Sequence, residues 1–177
     1  GVGRYVTEAL ADARTRGARK GLGPRGVVDP GEILDELRLR KDPAEVECIR
    51  TAVAVTLEGH RAGAAAIHPG TGEWDVEAAI EGGFRRAGAA GPCFGTIVGS
   101  GENACVLHYV ANSATIGGGA LVLVDAGAEV RLYNGDVTRT YPSNGRFSAI
   151  QRDVYEVVEA AHGAAIAKVA PGVALQD

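Results

Sequence analysis

An α+β fold is predicted for this chain of 177 residues. Three observations predict it. A strong helix start lies at Asp42-Pro43-Ala44-Glu45, the residue periodicity turns strand-like after Pro92, and a capping box at Ser148-Ala-Ile-Gln151 opens a closing helix. Helices gathered ahead of hairpin-linked strands indicate α+β rather than an alternating parallel βαβ sheet.

Residues 4–20 read as a helix, from Val6, Leu10 and Ala13 about a turn apart. Gly21-Leu-Gly-Pro24-Arg-Gly26 and then Asp29-Pro30-Gly31 break the pattern, so a domain boundary is expected there. Residues 1–30 are read as the tail of an upstream domain with its linker, and 31–177 as a truncated half-domain. At Asp42 an acid precedes a proline at the first helical position, with Glu45 three residues on. Val46, Ile49, Val53 and Leu57 mark the expected buried face of that helix, which should end by Pro69-Gly70. A second helix follows Thr71, with Val76, Ile80 and Phe84 in register, and stops near Gly88. Phe94–Val98 reads as a strand, Gly99-Ser-Gly101 as a turn, and Val106–Tyr109 as another strand. The last helix runs from the capping box through about Lys168, closed by Pro171-Gly172.

Composition bounds the function. Hydrophobic residues make up 46% and charged residues 23%, the balance of an ordinary globular protein. Glycine, at 26 residues, is abundant enough to expect tight turns and close backbone approaches. Eighteen Lys and Arg against 22 Asp and Glu leave a net charge of −4, which argues against a nucleic-acid partner. The basic stretch Arg14–Lys20 reads as a solvated helix end. Cys48, Cys93 and Cys105 show no C-x-x-C spacing, so reduced thiols and a cytoplasmic location are expected, without a zinc-thiolate site. No apolar stretch approaches the ~20 residues that span a bilayer, and no membrane partner is expected.

Most of the functional signal lies in Leu121-Val-Leu-Val-Asp125-Ala-Gly and Asn134-Gly-Asp136-Val-Thr-Arg-Thr-Tyr-Pro142. Each aspartate ends or interrupts a run that otherwise reads as a buried strand, where an isolated carboxylate is costly. In a hairpin with its two-residue tip at Val130-Arg131, Asp125 and Asp136 would stand directly opposite each other. Like charges on cross-strand partners, with Cβ atoms about 5 Å apart, repel. A shared proton or one or two divalent cations could neutralise such a pair, and the oxygen-only donors suit hard or borderline ions.

Other motifs have plainer readings. Gly99-Ser-Gly101-Glu-Asn-Ala104 looks like a dinucleotide fingerprint, but strand-like residues follow where a helix would have to start, so a glycine turn is preferred. His60, His68 and His162 read as structural. A lone His108 would read the same way unless its strand neighbours the aspartate hairpin, where a neutral imidazole could stabilise an oxyanion. Thr138 and Thr140 alternate with Asp136 and could orient its carboxylate, though threonine also simply favours strands.

Taken together, Thr96-Ile-Val-Gly-Ser-Gly-Glu-Asn-Ala-Cys-Val-Leu-His108-Tyr109, Leu121–Gly127 and Gly135–Pro142 resemble the aminopeptidase P family. These are the Xaa-Pro aminopeptidases and prolidases of the pita-bread metallopeptidases, and the similarity extends from about Glu36 to Gly172. The resemblance implies a partial pita-bread fold and two divalent metal ions, usually Mn²⁺, held by two aspartates, a histidine and two glutamates. Asp125 matches the aspartate that binds one metal, Asp136 the one that bridges both, and His108 a histidine beside the metals that contacts substrate. It implies metal-assisted hydrolysis of the bond before a proline in second position of a peptide. In the family the remaining three ligands follow the aspartate hairpin at a distance that lies beyond Asp177. The chain is therefore expected to be a fragment, inactive by itself. Prolidase is the near alternative. A metal-free relative such as creatinase, or a pita-bread domain that only binds peptides or proteins, is the alternative of another class. Oligomeric state, a homo-oligomer included, stays open.

Overall fold

The computed structural model of the protein describes residues 2–18 and 28–174, which divide into two compact units, Gly1–Asp42 and Pro43–Asp177. The predicted linker around Gly21–Gly26 and the end of the first predicted helix lie outside the described residues.

The first unit holds α1 (Val2–Ala18) and α2 (Gly31–Leu39). Sequence reasoning read Asp29-Pro30-Gly31 as a break, but it is a helix start. Asp29 Oδ1 accepts from the Gly31 N–H at 2.9 Å, and the Pro30 carbonyl accepts from Ile33 and Leu34 at 3.1 and 2.9 Å. Proline, with φ fixed near its helical value, costs nothing at a position whose N–H has no helical partner.

In the second unit α3 (Pro43–Ala66) begins where the Asp42-Pro43 signal puts it, and α4 (Glu73–Arg86) carries Val76, Ile80 and Phe84 fully buried, as their spacing predicts. Each such burial contributes about 1.5–3 kcal/mol. The predicted buried stripe of α3 is corrected. Val46, Ile49 and Val53 are only half-buried and Leu57 is exposed, whereas Ala52, Val55, Thr56, Gly59, His60 and Gly63 face inward. Close packing against α4 and the hairpin selects small side chains for that face, so hydrophobicity alone points to the wrong one.

The strands are β1 (Gly91–Pro92), β2 (Ile97–Ser100), β3 (Leu121–Ala126), β4 (Ala128–Val130), β5 (Tyr133–Asn134) and β6 (Val137–Pro142), followed by α5 (Ala149–Lys168). All pairings are antiparallel. A long ribbon runs from Leu121 to Pro142 and changes partners midway. Its lower half forms the sheet β2-β3-β6, and its upper half forms β1-β4-β5. Val98, Val122, Val124 and Ala126 pack with Val55, Val76, Ile80, Phe84 and Ile116 to make the core between sheet and helices.

The tip and register differ from the sequence reading. The turn is Arg131-Leu132, with φ of 54° and 68°, and Asp125 stands opposite Thr138 rather than Asp136. Positive φ at both central residues is what a type I′ hairpin turn needs, but it is usually supplied by Asn-Gly. The second predicted strand, Val106–Tyr109, is absent. A five-residue 3₁₀ helix, Gly101–Cys105, is followed by a turn. The closing helix begins as predicted: Ser148 Oγ accepts from the Gln151 N–H at 3.3 Å and Gln151 Oε1 from the Ser148 N–H at 2.9 Å.

Candidate metal and substrate site

Residues along β3 alternate between two faces. Val122, Val124 and Ala126 turn to the core, so Asp125 lies on the opposite face with Leu121 and Leu123. Across the ladder, Thr138 Oγ1 donates to Asp125 Oδ1 at 2.8 Å, which confirms the face and fixes one carboxylate oxygen. Thr138 thus orients Asp125, not Asp136 as its sequence spacing suggested.

Asp136 precedes Thr138 by two residues and reaches Asp125 diagonally, through a hydrogen bond between the two carboxyl groups. Partial desolvation first, then the Asp125 charge and that bond, push the Asp136 carboxyl above its ordinary value, although the residue as a whole is exposed. The pair is therefore brought together, on one face, by a register two residues away from the predicted one. The donors are carboxylate oxygens set side by side, which fits a hard divalent cation replacing the proton between them. Among the described residues no group of three or more His, Cys, Asp or Glu converges to complete a metal site.

The backbone behind the pair is held tightly. A Cβ on Gly135 would lie 2.2 Å from Thr56 Oγ1 and 2.9 Å from the Ala52 carbonyl, so only glycine fits there. Thr56, fully buried on α3, donates to the Ala52 carbonyl at 2.8 Å and accepts from the Ala128 N–H at 2.9 Å. His60 grips β6 from the core side. Nε2 lies 2.8 Å from the Val137 carbonyl and Nδ1 3.3 Å from the Tyr141 hydroxyl. Burial, above all, lowers its pKa, so the ring is neutral near pH 7, donating to Val137 and accepting from Tyr141. That is the structural role expected for it. Cys93 Sγ donates to the Gly135 carbonyl at 3.3 Å. Burial, together with the charges of Asp136, Glu129 and Asp125, raises its pKa and keeps it a thiol.

His108 is exposed, in a turn with φ of +56°, and among the described residues no hydrogen bond joins it to either aspartate. Its loop nevertheless starts on their side of the sheet. Gly99 pairs with Leu123 on the aspartate face, and a Cβ there would lie 2.9 Å from the Asn103 carbonyl. The 3₁₀ helix Gly101–Cys105 therefore packs over Gly99 on that face and is no dinucleotide-binding α-helix.

Two residues that sequence reasoning passed over shape this loop. Asn112, buried with φ of +42°, accepts from the Val98 N–H at 2.9 Å and donates to the Thr96 carbonyl at 2.8 Å. Its carboxamide thus replaces a neighbouring strand. Glu73, also fully buried, receives five hydrogen bonds from residues 100–114. In the sequence it looks like any acid in a first helical turn.

Residues 47–177 match Metallopeptidase family M24. The chain belongs to that family. It is 42% identical over 154 residues to an Xaa-Pro aminopeptidase of Escherichia coli, covering 86% of this chain and 35% of that protein. An Xaa-Pro aminopeptidase of Haemophilus influenzae is 40% identical, with 82% and 34% covered. The structure of Pseudomonas aeruginosa aminopeptidase PepP superposes with a TM-score of 0.89 at 40% identity, over 97% of this chain and 39% of that one. This M24 chain thus spans about a third of the length of the curated relatives it matches, and its α+β arrangement is part of the pita-bread fold of aminopeptidase P. As a metallopeptidase family, M24 implies divalent metal ions. No described helix is long and apolar enough to cross a membrane.

Proposed function

We propose that this chain supplies the aspartate side of a dinuclear metal site in an Xaa-Pro aminopeptidase, with peptides bearing proline in second position as substrates. The observation that carries the reading is the contact between Asp125 and Asp136 on one sheet face, with the proton affinity of Asp136 raised by partial burial and then by its neighbour. The names of the relatives favour an aminopeptidase over a dipeptidase or a non-catalytic binding domain. Residues 31–177 would be the N-terminal half of the catalytic domain and 1–30 the end of an upstream one. The protein would work in the cytoplasm with Mn²⁺, which suits carboxylate oxygens.

In this reading the carboxylates of Asp125 and Asp136 would hold the cations. When bound, the cations polarise the scissile carbonyl and activate water. The chain's own residues do the rest. Thr138 holds one oxygen of Asp125 and so presents the other. Gly135 and Thr56 fix the main chain from which Asp136 projects. His108 contacts the substrate carbonyl, where a hydrogen bond would strengthen as negative charge develops on the oxygen.

The test uses a protein long enough to carry the whole metal site. Asp136→Ala is expected to abolish release of the first residue from Xaa-Pro peptides and to lower the bound metal measured by elemental analysis. Near-normal turnover by that variant refutes the reading.

A further inference from the structure

We propose that Glu73 is a positioning residue of this site, whose carboxylate clamps both ends of the 100–114 loop and so sets where His108 meets the substrate. The proposal deepens the reading above and rests on it for the role of His108.

Glu73 Oε1 accepts from the Ser100 N–H at 2.7 Å, Ser100 Oγ at 2.8 Å and Asn103 Nδ2 at 3.2 Å. Its Oε2 accepts from the Tyr109 hydroxyl and the Ala114 N–H, both at 2.9 Å. One side chain at the start of α4 therefore gathers the first residue of the loop, its middle and its last. Only a carboxylate can do this, since its two oxygens offer about four acceptor positions and no donor. Tyr109 is the critical partner. Its hydroxyl is fastened to Glu73 and also accepts from Asn103 Nδ2 at 3.0 Å and the Ser113 N–H at 3.2 Å. The residue before it, His108, sits in a left-handed conformation that is uncommon outside glycine. The anchored tyrosine fixes the main chain directly after that turn, and the imidazole itself is exposed. Burial alone would raise the Glu73 carboxyl, yet the bonds from Ala114, Ser100 and Tyr109 hold it below the ordinary value, so it is charged near neutral pH.

The experiment places Glu73→Gln in the metal-loaded, length-matched enzyme, alone and combined with His108→Ala. Glutamine keeps the shape but presents a donor to the Ala114 N–H. Expected is a fall of about 10-fold or more in kcat/KM on an Xaa-Pro peptide, as for a misplaced group, with metal content unchanged. In the His108→Ala background the same change should cost less than about 3-fold, because coupled residues are not additive. Amide hydrogen exchange should quicken for 100–114 while α5 stays as in the parent. Equal losses in both backgrounds overturn the proposal, and so does unchanged exchange in the loop. If instead the loop loosens but His108→Ala leaves turnover intact, the role given to His108 is what fails, and the catalytic part of the proposal falls with it. Should Glu73→Gln not fold, Tyr109→Phe, which removes one of the five bonds, carries the same comparison.

Discussion

Replacing Thr56 by valine removes a buried hydroxyl that ties the aspartate ribbon to the helical layer. The substitution nearly preserves volume and leaves Ala128, which is fully buried, with an N–H that has lost its acceptor at 2.9 Å. An orphaned buried N–H costs about 1–3 kcal/mol. The Ala52 carbonyl, the other partner of the hydroxyl, still has its ordinary helical N–H donor, so no second penalty arises. The new methyl adds roughly 0.8 kcal/mol of favourable burial at most. It gains little of that, because Gly135 already packs so closely on this spot that even a Cβ would collide. A net loss of about 2 kcal/mol follows from these terms. Thr56→Ser keeps the hydroxyl and loses one methyl, for about 1 kcal/mol. Urea unfolding of both variants, with unchanged slope, measures the difference, and amide exchange at Ala128 localises it. A valine variant as stable as the parent, with Ala128 still protected, would show that the hydroxyl does not hold the ribbon.

Gly135→Ala should cost about 1–3 kcal/mol by overpacking against Thr56 and Ala52, and by shifting the next residue, Asp136, should weaken metal binding in calorimetry; unaltered affinity would mean the site tolerates that shift. Leu132→Gly should instead raise stability by a few tenths to about 1 kcal/mol, since it relieves a left-handed leucine that is 86% exposed; a lower urea midpoint contradicts the turn assignment. Glu73 makes stability pH-dependent in a definite sense. Its folded pKa lies below the unfolded value of about 4.3, so its contribution is fully present above that pH and is lost as pH falls through the folded value. The stability gap between parent and Glu73→Gln should therefore shrink as the pH falls below the ordinary carboxylate range, and a gap that widens on acidification would contradict it.

Where local signals determine the structure, the sequence was readable. Pro43 and the Ser148–Gln151 box mark the starts of α3 and α5 because capping involves neighbours in the chain. The face and pairing of the two aspartates were readable in outcome but not in register. Arg131-Leu132 carries none of the residues that announce a type I′ turn, while Asn134-Gly135 further on looks like one and lies in the ribbon. Val106–Tyr109 has strand-forming residues, but Tyr109 is drawn away by Glu73, a residue 36 positions earlier. No window of sequence shows such a bond. The inward face of α3 was missed for a similar reason, since Thr56, Gly59 and His60 are chosen by what packs on them.

The outer rim of β2 has a consequence for how this chain can vary. Its two outward amides, at Val98 and Ser100, are taken by the side chains of Asn112 and Glu73. An open strand border invites pairing with another chain, and here two residues seal it. The same segment that closes the border carries His108. Variation that reshapes this loop would have to keep both seals or leave the sheet open to self-association.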